Sequence, residues 1–296
     1  MRVVVTGREG QVVRSLIERG AAAGANIVPL GRPELDLSAA ELEIIEAIRS
    51  AQPHVVVSAA AYTAVDKAEA ERELAFAINE RGSRAVARAA REIGVPIIHL
   101  STDYVFNGRG DRPYIETDPT VPNGVYGASK LAGEQAVLAE CRDSAVLRTA
   151  WVYSPFASNF VKTMLRLAAD REEVSVVADQ RGNPTSALDI ADGVLAVAAN
   201  LRAGADPAHR GLFHMTGAGE ASWAEFAESI FACSAASGGP AARVNHIATA
   251  DYPTAAKRPA NSRLNSDKLA HSHGVRLPEW RQSLKDVVTR LVEQGA

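Results

Sequence analysis

The chain opens on a β-branched run, Val3-Val4-Val5, which breaks into Thr6-Gly7-Arg8-Glu9-Gly10-Gln11-Val12-Val13 and continues as a helical pattern through Arg19. A strand that runs straight into a glycine turn and a helix starts a strand–helix–strand unit. The turn lets backbone N–H groups and the helix N-terminus face a pyrophosphate. The plainer alternative is a tight turn that only connects two elements. A third glycine in the Gly-x-x-Gly-x-x-Gly spacing would allow close helix–strand packing, but Val13 stands there. The expected consequence is a small shift of the helix, with the phosphate contacts kept.

The alternation continues along the first half. Apolar strands are expected at 27–30, 55–57, 97–100 and 145–147, separated by helices at 42–49, 69–92 and 127–140. Residues 69–92 are rich in Ala, Glu and Arg, good helix formers with an apolar face. Short apolar strands parted by helices make a parallel sheet with right-handed crossovers. The second half is less regular. Helices are expected at 159–169, 188–201, 223–231 and 280–293, strands at 174–177 and 212–215, and loops at 202–210 and 235–242. The expected class is α/β: a Rossmann-type parallel sheet flanked by helices over 1–150, then a smaller mixed α/β substrate-binding part over 151–296. Within that part, about 186–202 is expected to pack back on the sheet domain.

Composition removes several functions. At 296 residues the chain holds one large domain or two unequal ones, and 32 basic against 35 acidic residues leave a net charge of −3. That balance argues against a nucleic-acid binder. Two cysteines, Cys141 and Cys233, make no disulfide framework, and no apolar stretch approaches the ~20 residues that span a bilayer. With a strand beginning right after Met1 and no leader segment expected, the reading is a cytoplasmic enzyme. His54, His209, His246, His271 and His273 show no ligand spacing, so no metal is expected. His271 and His273 read as solvent-facing, His99 and His214 as structural.

Tyr126 and Lys130 carry the chemistry. In Tyr126-Gly127-Ala128-Ser129-Lys130 they stand at i and i+4, one face of a helix. An ammonium beside a phenol lowers the phenol pKa, and the same lysine reaches the ribose of a nicotinamide cofactor. Carbonyl reduction needs a hydride on carbon and a proton on oxygen. Tyr126 can give the proton, and Thr102, just after the fourth strand, can donate to the same oxygen. A surface helix pair is the bland alternative. At the end of the second strand, Leu30-Gly31-Arg32-Pro33 offers Arg32 to a 2'-phosphate, which favours NADPH. Asp36 nearby keeps NADH possible. The Arg258 guanidinium suits a diphosphate; the alternative is an ion pair tying down the C-terminal lobe.

These segments resemble the extended short-chain dehydrogenase/reductases and, within them, the dTDP-4-dehydrorhamnose reductases. The resemblance runs through Ala59-Ala60-Ala61-Tyr62-Thr63-Ala64-Val65-Asp66-Lys67-Ala68-Glu69 and Ser101-Thr102-Asp103-Tyr104-Val105-Phe106-Asn107-Gly108. It continues through Arg148-Thr149-Ala150-Trp151-Val152-Tyr153, Asp179-Gln180-Arg181-Gly182-Asn183-Pro184-Thr185, and Arg258-Pro259-Ala260-Asn261-Ser262-Arg263-Leu264. It implies reduction at C4 of a dTDP-linked 4-keto-6-deoxy-L-sugar to dTDP-L-rhamnose by NADPH or NADH. Tyr126 is then the acid, Lys130 its tuner and ribose holder, and Thr102 the polariser. Thr102, Asp103, Tyr104, Tyr126, Trp151 and Arg258 meet substrate; in a bland reading, Tyr104 and Trp151 are packing residues. Gly7, Gly10, Gln11, Val12, Arg32, Asp36, Leu37, Ala59, Ala60, Ala61, Thr63, Tyr126 and Lys130 hold the cofactor. Ser58 departs from the Asn common in the family. Some members dimerise through Mg2+ held by acidic residues near the terminal helices. Here the first helix reads Ser15-Leu16-Ile17-Glu18, so no metal is expected and a homodimer stays open. The rivals are a reductase of another NDP-4-keto-6-deoxyhexose and a non-catalytic regulatory subunit of the same fold.

Overall fold

The computed structural model describes residues 1–295. Its first half runs β1 (Arg2–Thr6), α1 (Gln11–Gly20), β2 (Asn26–Leu30), α2 (Glu41–Ser50), β3 (Val55–Ser58), α3 (Val65–Ala68), α4 (Arg72–Phe76), a π-helical segment (Ala77–Gly82), α5 (Ser83–Ile93), β4 (Ile97–Thr102), α6 (Val125–Glu140) and β5 (Ser144–Thr149). The second half runs β6 (Val152–Tyr153), α7 (Phe160–Asp170), β7 (Glu173–Val177), β8 (Arg181–Gly182), β9 (Thr185–Ser186), α8 (Ala187–Ala203), β10 (Gly211–His214), β11 (Ala221–Ser222), α9 (Trp223–Ala236), β12 (Arg243–Ile247), β13 (Asn261–Ser262), α10 (Asp267–His273) and α11 (Trp280–Glu293).

Six strands form one sheet in the order β10-β5-β4-β3-β1-β2, with every pair parallel. The chain steps from β1 to β2 on one side and then to β3 on the other. The crevice for a ligand therefore lies at the C-terminal ends of β1 and β3. Strand side chains alternate between two apolar layers, as the period of two requires. Val3, Val5, Val55 and Val57 join Leu16, Ile190, Val194 and Phe213 on one face; Val4 and Val56 join Ile44, Ile48, Val86 and Val137 on the other. α8 supplies Ile190, Ala191 and Val194 to the layer that holds Leu16 of α1. A third apolar cluster joins α7, α9 and α11 through Met164, Leu165, Phe226, Ile230, Trp280 and Leu284.

Some expected elements differ. The single helix of 69–92 is two α-helices, α4 and α5, joined by a π segment. Within the π segment Asn79 is fully buried and bonds across to the Tyr62 backbone and to Ser129, so side-chain demands override the regular helical pattern. β12 pairs in parallel with β7, where no strand was expected. α9 continues to Ala236, into the expected loop. His273 is not solvent-facing: it is buried, its ring lying 4.8 Å from those of His209 and Phe213. His271 is exposed.

Candidate active site

The glycine turn is shaped for close approach by a ligand. Gly7 has φ +100°, and a Cβ there would meet Val13 Cγ2 at 3.4 Å and Ala60 Cβ at 3.5 Å. Val13 is thus accommodated in the buried layer beside the turn. Helix α1 starts at Gly10 with no side-chain cap, leaving its first N–H groups to a ligand. Thr6 Oγ1 accepts from Ala59 N–H (3.0 Å) and Ala60 N–H (2.9 Å), tying the end of β1 to the segment after β3. A cleft of about 310 Å³ opens here, lined by Gly7, Arg8, Gly31, Arg32, Leu35, Asp36, Leu37, Ala60, Ala61 and Ile78.

Two guanidiniums reach this cleft. Arg32 lies 3.5 Å from Asp36, and Arg8 pairs with Glu34. Arg8 was not singled out from the sequence; its position between the two glycines was the available signal. Hydrogen bonds from the Ser38 hydroxyl and N–H hold the Asp36 carboxyl below its ordinary range. Of the other expected cofactor residues, Gln11 bridges to the second half of the chain, donating to Val152 O at 3.3 Å and accepting from Ser154 Oγ at 2.8 Å. Val12 is half-buried against the apolar layer, and Thr63 is exposed, outside the lining of this cleft.

α6 brings Tyr126 and Lys130 to the end of β4. Two glycines let it sit close. A Cβ on Gly127 would lie 2.2 Å from Tyr104 O, and one on Gly133 2.1 Å from Asn79 O. Glu69 accepts from the Val125 N–H at 2.9 Å and fastens the helix start. Lys130 Nζ donates to Leu100 O at 2.6 Å, and burial pulls its amine down to about 8. Asn79 Nδ2 donates to Ser129 Oγ (2.9 Å), which donates to Tyr126 O (2.8 Å). Asn79 is a further residue that sequence reading missed, since only burial and the π segment reveal it.

The electrostatics correct one expectation. The Tyr126 phenol is not lowered by Lys130; burial raises it well above its ordinary value, and the Thr102 hydroxyl beside it pulls modestly the other way. The phenol is therefore neutral and proton-bearing at neutral pH. Thr102 Oγ1 donates to Asp103 Oδ1 at 3.0 Å, and burial raises the Asp103 carboxyl to about 6.

Arg258 reaches the same place from the far end of the sequence. It donates to Tyr104 OH at 3.1 Å and to Asp66 Oδ2 at 2.5 Å, while Asp66 Oδ1 accepts from Ala256 N–H at 3.0 Å. The Tyr104 ring meets Tyr126 edge-on, 5.4 Å between centroids. Between this strap (256–259) and Tyr126 the cavity is only about 10 Å³, near the size of a single water. Trp151, at φ +48°, stacks on Trp223 at 3.6 Å and 9°. It also covers Gly182, where a Cβ would fall 2.4 Å from the indole.

A glycine cradle at the switch point of a parallel sheet, with Thr, Tyr and Lys gathered beside it, is the layout of the Rossmann-type short-chain reductases. Residues 1–293 match the RmlD substrate binding domain family. The dTDP-4-dehydrorhamnose reductase of Sinorhizobium fredii (strain NBRC 101917 / NGR234) is 49% identical over 295 residues, covering 100% of this chain and 99% of the relative. That of Escherichia coli (strain K12) is 41% identical, covering 98% of each. Among solved structures, a Bacillus anthracis dTDP-4-dehydrorhamnose reductase in complex with NADP superposes with a TM-score of 0.90 at 35% identity, covering 98% of this chain and 99% of the other. The chain belongs to the dTDP-4-dehydrorhamnose reductase family.

Proposed function

We propose that Tyr126, Thr102 and Lys130 carry out the family's reaction in this chain: reduction of the C4 keto group of dTDP-4-dehydro-6-deoxy-L-mannose, giving dTDP-L-rhamnose. NADPH, when bound, supplies the hydride that goes to C4. The cradle fits such a group: Gly7 and the uncapped start of α1 suit the pyrophosphate. Arg8 and Arg32 suit a 2'-phosphate, and Asp36, Leu37 and Ala59–Ala61 suit the adenine side and the inner wall. Tyr126 gives its phenolic proton to the oxygen on C4, where charge develops. Its raised pKa keeps that proton in place until then. Thr102 turns its hydroxyl proton from Asp103 to the same oxygen. Lys130 holds the nicotinamide ribose and, once drawn towards it, eases loss of the Tyr126 proton.

On the substrate side we assign Asp103, Tyr104 and Trp151 to the sugar and Arg258 to the diphosphate. Arg258 exchanges its bond to Asp66 for phosphate oxygens, and the strap moves as it does so, since about 10 Å³ holds no hexose. We divide the chain into a cofactor lobe, 1–150, and a sugar lobe, 151–296, with about 186–202 serving the first. No described helix is long and apolar enough to cross a membrane. We keep the cytoplasmic location read from the sequence, leave a homodimer open, and assign no nucleic-acid partner.

The observation that carries this reading is the convergence of Thr102, Tyr126 and Lys130 beside the glycine cradle. The test is an assay with enzymatically generated dTDP-4-keto-6-deoxy-L-mannose and each cofactor, with the product identified by NMR. Oxidation of NADPH with formation of dTDP-L-rhamnose is expected. No cofactor oxidation, or a product epimeric at C4, overturns it.

A further inference from the structure

One buried ion pair lies against the catalytic helix and is not used above. Glu134 stands one turn after Lys130 on α6, and the two are 2% and 3% exposed. Glu134 accepts two hydrogen bonds from Arg148, Nε at 2.9 Å and Nη2 at 2.7 Å. Arg148 sits on β5 in register with Ser101, the residue before Thr102. Its guanidinium lies 5.0 Å over the Phe106 ring, and Phe106 lines the cavity at Tyr126. A buried ion pair is a poor source of stability, because apolar residues of similar volume serve as well or better. Its place beside Lys130 supplies another reason for it.

We propose that Glu134 is a positioning residue for Lys130: with its carboxylate clamped by Arg148, it holds a fixed negative charge one helical turn from the amine and keeps Lys130 protonated in a site that excludes water. The clamp matters as much as the charge. A free carboxylate at i+4 could close directly on the lysine. With its oxygens taken by a two-pronged guanidinium, Glu134 acts through its field, and the amine remains able to donate to Leu100 O or to a ligand oxygen. Burial drives the Lys130 amine down and Glu134 opposes it. The other ionisable group coupled to the amine is His99 on β4, held neutral by burial and by Lys130, while Arg148 on β5 is joined to it through Glu134 and Tyr126 precedes it by one turn on α6. Asp103 follows β4 beside Thr102. This inference rests on the reading of Lys130 as the catalytic lysine.

The test reads Lys130 directly, without the cofactor. The chain has six lysines, so 13C-labelled lysine NMR can follow one resonance against pH. Two variants are used. Glu134→Gln removes the charge; the double variant Glu134→Met with Arg148→Met also avoids stranding a buried guanidinium. In Glu134→Gln the titration midpoint of Lys130 is expected to fall by about one pH unit, a roughly tenfold loss of protonated amine above the midpoint; in the double variant, which also removes the opposing charge of Arg148, it is expected to fall by less. The alkaline limb of the kcat/KM profile should move with it. An unchanged midpoint in the folded double variant overturns the proposal. The two readings fail separately: a shifted midpoint in a protein that reduces no sugar leaves the positioning role standing and removes the reductase reading.

Discussion

Gly133→Ala tests whether the seating of α6 sets the rate. The added Cβ would lie 2.1 Å from Asn79 O. That carbonyl cannot easily yield, because the Asn79 side chain accepts from Tyr62 N–H at 2.7 Å and donates to Tyr62 O at 3.1 Å and Ser129 Oγ at 2.9 Å. Restoring an ordinary contact takes about 1 Å, and it must come from α6, which carries Lys130 three residues earlier and Tyr126 two turns earlier. A displacement of about 1 Å at reacting groups costs on the order of 10²-fold in rate. Stability responds less: overpacking costs about 1–3 kcal/mol, while alanine gains about 1 kcal/mol over glycine in a helix. The expected signature is a kcat with NADPH about 100-fold down in a protein that still unfolds cooperatively near the wild-type temperature. Gly204→Ala, with open space around the added carbon, is the control. A Gly133→Ala enzyme within twofold of wild-type kcat refutes the reasoning.

Tyr126→Phe removes the proton donor and should lower turnover by about 10²–10⁴-fold, with NADPH affinity by fluorescence titration nearly unchanged; wild-type turnover would remove Tyr126 from the mechanism. Arg8→Ala and Arg32→Ala should each weaken NADPH binding more than NADH binding in the same titration, and equal losses for both cofactors would count against a 2'-phosphate role. Arg258→Ala should raise KM for the nucleotide sugar by about 10–100-fold, the worth of a charge-assisted hydrogen bond, at unchanged dinucleotide affinity; an unchanged KM rejects the diphosphate contact. His214 and His273 are lowered, chiefly by burial, to about 3 and about 4. Their unfolded forms take up protons first, so the stability they confer is present above about pH 6.5 and lost as pH falls towards their folded values. Urea unfolding between pH 7 and 4 should show that loss, and His214→Gln should flatten it.

The strands were legible because their valines run uninterrupted between turns, and a sheet covered on both faces requires such runs. That Tyr126 and Lys130 share a helix face was legible through spacing, since i and i+4 lie together whatever surrounds them; Thr102 was placed by its position just after the expected fourth strand. Asn79 was not, because a polar residue in an Ala- and Glu-rich stretch reads as solvent-facing until Tyr62 and Ser129 close around it. The direction of the Tyr126 shift differs from the sequence expectation for a related reason: spacing places an ammonium one turn away, but burial dominates the phenol's state. Arg258 kept two readings open, and the structure has it in an ion pair with Asp66 while touching Tyr104, whose ring abuts Tyr126. The two-residue strands β8, β11 and β13 carry no periodicity to detect; β8 and β13 are joined by backbone pairing between segments far apart in the chain.

The order of the central sheet bears on how the chain is made. β5 receives its outer neighbour, β10, only when residues 211–214 arrive, and the layer holding Leu16 is closed by Ile190, Val194, Phe213 and Leu277. A nascent chain that has emerged only as far as Thr149 therefore presents an unpaired strand edge and a bare apolar face, both invitations to self-association. Synthesis must reach well into the second half before the first half is sealed, so a fragment cut after Thr149 should aggregate where the full chain folds.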